Sequence, residues 1–263
     1  MDSELNYSSK PASEESKPAP QNIISRIIGV WFSPGETFAE IGRAPRLLAP
    51  IIALMILGSA TGYLMIDRIG VRGFFSPQFE QAVASGRMSQ EDADKQLDTM
   101  TSGPAATITK MSFPIIGLFQ FLVMALIIVG IAKLITMLMG GDNEFKPLFS
   151  VSLYTLLATS IVSSALLIIL LFLKSPEEID INNLLGSNLA ALLTVAVGKD
   201  GLPKFVMALA RWVDIFGIWM LILLSIAFAA VTRKIKASTF GYALGGIYIL
   251  FALIAASWAA VRG

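Results

Sequence analysis

Seven residues, Thr232-Arg233-Lys234-Ile235-Lys236-Ala237-Ser238, separate two apolar runs, Trp212–Val231 and Thr239–Val261. Each run has the roughly 20 residues that cross a ~30 Å hydrocarbon layer at ~1.5 Å per residue. Two spans joined so tightly must fold back as antiparallel neighbours. Lys and Arg beside span ends set orientation, so this basic hinge is expected on the cytoplasmic side. That one assignment fixes the expected side of every other loop.

The chain has 263 residues, 55% hydrophobic and 15% charged, with mean hydropathy +0.70. The apolar share exceeds, and the charged share falls below, that of soluble domains. Net charge is +1, which gives no global field for nucleic acid. Cys and His are both absent, so no disulfide, Cys/His metal site, thiol nucleophile or imidazole base can be built. No cofactor is expected. Met1–Pro20 is rich in Ser, Lys, Glu and Pro and shows no secretory signal pattern. It reads as a disordered cytoplasmic tail.

After that tail, Ile23, Ile24, Ile27, Ile28 and Trp31 form one helical stripe. The run is too short to span. It suits either an amphipathic helix in the inner headgroup region, with Arg26 among the headgroups, or a helix packed on its own membrane domain. Ser33-Pro34-Gly35-Glu36 reads as the start of a second short helix, ending at Gly42.

The expected organisation is a tail over 1–21, interfacial amphipathic helices over 22–45 and a five-helix membrane domain over 46–261. Its spans lie at about 47–66, 114–139, 147–173, 212–231 and 239–261. The fold class is an all-α polytopic membrane protein with a cytoplasmic N-terminus and an extracytoplasmic C-terminus. The loop 67–106 reads as an extracytoplasmic helical hairpin, its helices starting at Ser76-Pro77 and Ser89. It is either a packed lid or a cap that receives a ligand. In the loop 174–207, the apolar stretch from Asn188 to Val197 suits a short interfacial or re-entrant helix. Gly140-Gly141-Asp142-Asn143 makes a tight inner turn.

Few side chains in the spans suggest chemistry. Gly58/Gly62 and Gly241/Gly245 are GxxxG pairs that permit close helix approach. Ser152, Thr155, Thr159 and Ser163 share a helix face, with Ser160 and Ser164 beside them. Such hydroxyls either bond to helix carbonyls or line a polar path for a headgroup or solute. Gln120 lies in the outer half of its span. Lys133 sits near the inner end, where it snorkels or enters an inner cavity. Arg211 and Asp214 stand at i, i+3 and are expected to pair at the outer boundary, where Trp212 and Trp258 share an aromatic level.

Several stretches together resemble the Yip1-domain family in its bacterial branch. One is Trp31-Phe32-Ser33-Pro34-Gly35-Glu36-Thr37-Phe38 followed by Arg43-Ala44-Pro45 and a span. Another is Gly140-Gly141 leading through Phe145-Lys146 to Ser152 and Tyr154. The last is Val213-Asp214-Ile215-Phe216 with Trp219, then a span, a basic hinge and a final span. The likeness runs from about Ile24 to Val261. It implies a five-helix membrane domain with a cytoplasmic N-terminus. Eukaryotic members bind Rab-type GTPases and one another in ER–Golgi traffic. Met1–Pro20 shows nothing like their Tyr-Gly-Pro-type motif, so GTPase binding is not the expectation for this chain.

The expected role is a non-enzymatic, self-associating scaffold or adaptor in the cell inner (plasma) membrane, with membrane lipids and a second copy or other membrane proteins as partners. The alternative is a lipid-binding or lipid-scrambling protein that uses the polar face of Gln120, Lys133, the four hydroxyls and the Arg211/Asp214 pair. An intramembrane enzyme would need an acid and a base at depth, and Asp214 alone cannot supply both.

Overall fold

The computed structural model describes residues 22–141, 144–198, 201–232 and 234–262. The tail, Asp142-Asn143 of the inner turn and Arg233 of the hinge lie outside them. The described chain is helical, with no β-strand and one isolated bridge. The ten helices are α1 (Ile23–Phe32), α2 (Pro34–Arg43), α3 (Leu48–Ala84), α4 (Gln90–Thr101), α5 (Gly103–Leu138), α6 (Phe145–Leu173), α7 (Leu189–Val197), α8 (Lys204–Trp212), α9 (Ile215–Val231) and α10 (Ala237–Arg262).

Four of these are long and apolar enough to cross a membrane: α3, α5, α6 and α10. The apolar α9 is shorter, with 17 residues.

The centre of the molecule is α6. Every residue from Leu148 to Ser160 is buried. On its sides pack α3, α5, α9 and the pair α1–α2. Lipid is as apolar as Leu, so helix association there relies on close packing and hydrogen bonds. Both devices are present. A Cβ on Gly58 would overlap the carbonyl oxygen of Gly117, and one on Gly117 would overlap that of Gly58. Gly62 opposes Phe113 in the same way. The backbones of α3 and α5 therefore touch, and this GxxxG pair is used inside the chain. A Cβ on Gly241 would stand 3.6 Å from the Ser225 hydroxyl of α9, an ordinary contact, whereas one on Gly245 would meet no neighbour within 4 Å. The second pair is thus not a close-packing pair within the chain.

The pair α1–α2 is packed on the membrane domain. Asn22 caps α1 through the Ser25 amide, and Ser33-Pro34 turns the chain into α2. Along α1, Arg26 meets the Tyr154 hydroxyl of α6 and Trp31 donates to the Ala158 carbonyl. The helix therefore runs beside α6 in the same direction, and α2 returns against α6 and α9. Arg26 is fully buried rather than placed among headgroups. Glu40 holds it at 2.8 Å, and the Ala44 carbonyl accepts a second bond.

Element ends differ from expectation where a break falls at an unforeseen residue. The first helical segment of α3 runs past the expected end at Ile66 to a break at Gly70, whose φ of 77° only glycine adopts freely, and a second segment follows it to Ala84. Pro77 rides inside the helix instead of starting one. The Ser89 cap of α4 forms, through the Asp92 amide. The run Trp212–Val231 is helical as one unit only from Ile215, because Trp212 ends the separate helix α8 and the chain breaks at Val213-Asp214. Because of that break, Trp212 packs on Tyr248, ten residues before Trp258, or about 15 Å lower along α10. The two tryptophans do not share a level.

Candidate functional site

On one side of the molecule α5 and α9 both lean on α6 without packing on each other, and the gap between them is a cavity of about 380 Å³. Gln120, Phe121 and Met124 of α5 form one wall. Thr159, Ser160 and Ser163 of α6 form the polar floor, with Leu156 beneath. Asp214 and the first turns of α9 close the other wall. Gln120 and Met124 are exposed, so the cavity opens sideways between helices. It lies about 15 Å short of the Leu173 end of α6, counted from Ser163 along the helix, well inside the apolar stretch.

Local chemistry places each polar group. Asp214 is the N-cap of α9, and its Oδ2 accepts the Gly217 amide at 2.8 Å. Its Oδ1 accepts the Ser187 hydroxyl. The loop after α6 comes back to this point. The Leu189 amide donates to the Val213 carbonyl at 2.9 Å, and the Ile215 amide to the Ser187 carbonyl at 3.2 Å. These two bonds pair backbone that the break between α8 and α9 would leave bare, the condition for non-helical backbone at depth. The Tyr248 hydroxyl caps the Trp212 carbonyl at 2.7 Å. Thr159 donates to the Thr155 carbonyl at 2.9 Å and Ser163 to the Ser160 carbonyl at 3.3 Å. Both hydroxyls thus commit their protons to the helix and keep their lone pairs.

The structure brings Gln120, Thr159, Ser163 and Asp214 together and leaves the rest elsewhere. Ser152 and Thr155 are enclosed, bonded to the Leu148 and Val151 carbonyls. Lys133 lies on α5 about 20 Å from Gln120, toward the hinge. Arg211 ends exposed on α8 and forms no ion pair with Asp214. Their i, i+3 spacing makes neighbours only on a continuous helix, and Val213 interrupts it.

Two features lie outside the sequence reading. Ser187 holds Asp214 across 27 residues of chain, and only the Asn188 cap ahead of an apolar run hinted that this loop returns to the core. Arg26, Glu40 and Tyr154 form a second buried polar cluster, with the guanidinium 5.4 Å from the Tyr154 ring centre. Among the described residues no three acidic side chains come together as a metal site would need.

A Yip1-domain family model matches residues 28–260. None of the curated proteins and none of the solved structures compared with the chain matches it.

Proposed function

The chain belongs to the Yip1-domain family, and from that premise we propose that it is a non-enzymatic, multi-pass protein of the cell inner (plasma) membrane that binds membrane lipid through the cavity between α5, α6 and α9. The observation that carries this reading is the cavity's composition. Gln120, Thr159, Ser160, Ser163 and Asp214 offer polar atoms to an opening that faces sideways, where lipid lies. In hydrocarbon an exposed Gln amide is costly unless a polar occupant meets it. A headgroup is such an occupant, and a cavity of this size holds one. The same polar lining would lower the barrier for a headgroup crossing between leaflets.

In this reading α9 is the fifth crossing. Its 17 residues, about 25 Å of helix, sit at the short end of the spanning range. The N-terminus is then cytoplasmic and the C-terminus extracytoplasmic.

The test uses purified protein reconstituted into vesicles carrying a fluorescent lipid, with Ser163→Phe to fill the cavity. Wild type should carry tightly bound lipid and raise the fraction bleached from outside, and the variant should lose both. Equal lipid retention and equal bleaching in the two proteins would sink the reading.

One observation favours self-association as a second role. Gly245 and Gly246 of α10 have open space where a Cβ would stand, beside the exposed Tyr242 and Ile249. Gly245→Leu should shift an oligomer in mild detergent to monomer. Gly58 and Gly62, already closed against α5, cannot serve this purpose.

A further inference from the structure

We infer that the cavity between α5, α6 and α9 takes a primary ammonium group; this rests on the lipid-binding reading above and narrows it to one headgroup chemistry.

The cavity lining offers more acceptors than donors. Of the described lining residues, Asp214 alone is charged. Each of its oxygens accepts one bond from the protein, Oδ1 from Ser187 and Oδ2 from the Gly217 amide, and each keeps acceptor capacity toward the cavity. Thr159 and Ser163 have given their hydroxyl protons to helix carbonyls and present oxygens only. The Gln120 carbonyl adds a further acceptor. Against these stand two neutral donors, the Ser160 hydroxyl and the Gln120 amide, and no lysine or arginine lines the wall. Arg211, the closest cation in sequence, is exposed on α8 and does not line the cavity. A phosphate or carboxylate entering here would meet a carboxylate with no compensating cation. A quaternary ammonium would bring charge but no N–H. A primary ammonium brings one positive charge and three donors, matching Asp214, Gln120 and the hydroxyl oxygens. The group belongs either to an aminophospholipid or to a soluble amine.

The experiment is native mass spectrometry of the full chain in mild detergent. Phosphatidylethanolamine, phosphatidylcholine and phosphatidylglycerol with identical acyl chains are added in turn, and free ethanolamine is titrated by calorimetry. Phosphatidylethanolamine adducts should exceed the other two by about tenfold, the scale of one charge-assisted hydrogen bond. Asp214→Asn should bring the three to parity. Asn remains a good N-cap, so α9 keeps its start, and an unchanged melting temperature verifies this. Ethanolamine binding without phosphatidylethanolamine preference, lost in Asp214→Asn, supports the inference with a soluble source. Equal wild-type adducts that Ser163→Phe removes, with no ethanolamine binding, overturn the ammonium class and leave lipid binding standing. Adducts that Ser163→Phe leaves intact overturn both.

Discussion

Arg26 is the most demanding side chain in the molecule to bury. It has no exposed surface, yet carries a full charge beside apolar helices. Glu40 at 2.8 Å, the Ala44 carbonyl at 2.9 Å and the Tyr154 ring offset that cost. The offset is incomplete, because Arg26 Nε and Glu40 Oε2 are buried without a partner. Breaking such a pair from one side strands the other charge, at about 3 kcal/mol or more. Arg26→Met should therefore lower the melting temperature in detergent sharply. Arg26→Met combined with Glu40→Leu should recover most of the loss, since nothing charged is left in the core. A double variant no more stable than the single would show that the pair is not coupled. The sequence displays the apolar stripe of α1 clearly, but not the depth of Arg26. That depth depends on Glu40, fourteen residues on, and on Tyr154 in another helix, and no local spacing encodes either contact.

Among the elements, the α3–α5 contact is the tightest. Gly58 and Gly117 each occupy the space a partner's Cβ would need, and the obstacle is backbone, which cannot rotate aside. Gly58→Ala and Gly117→Ala should each destabilise by about 1–3 kcal/mol through overpacking. The two penalties should add incompletely, because both relieve the same contact by moving α3 away from α5. Gly130→Ala is the control: its surroundings are open, so replacing glycine inside a helix should stabilise α5 slightly. Thermal unfolding of the four variants checks all three statements. A fully tolerated Gly58→Ala would mean that the helices do not approach as closely as described. GxxxG spacing made Gly58 and Gly62 legible as packing residues. It did not reveal whether the partner was this chain or a second copy, because small residues serve either. The break at Val213-Asp214 was less legible still. Trp212–Val231 reads as one apolar run, and only pairing with Ser187 and Leu189 lets the backbone open there.

At the scale of the whole molecule, the four long apolar helices were legible from length and apolarity, while the number of crossings depends on α9. Beside it, α10 runs 26 residues from the hinge to its far end, so the hinge and the α10 terminus lie on opposite faces if α10 crosses. The turn after α3 lies at the end of that helix away from Leu48, which follows the α1–α2 pair. Five crossings then put Ser85 and Val261 on one face and Lys236 on the other; four crossings put Val261 across from Ser85. The absence of cysteine makes the question direct, since any introduced thiol is unique. All three positions are exposed. In intact cells stripped of any outer envelope, Ser85→Cys and Val261→Cys should react with a membrane-impermeant maleimide, whereas Lys236→Cys should react only after permeabilisation. Labelling of Lys236→Cys together with Ser85→Cys would remove the hinge from the cytoplasmic face. Labelling of Ser85→Cys without Val261→Cys would make the crossings even. The cavity would survive either result, because it is built by contacts within the chain. What would change is the leaflet from which Asp214 is nearest, and therefore the side on which a headgroup enters.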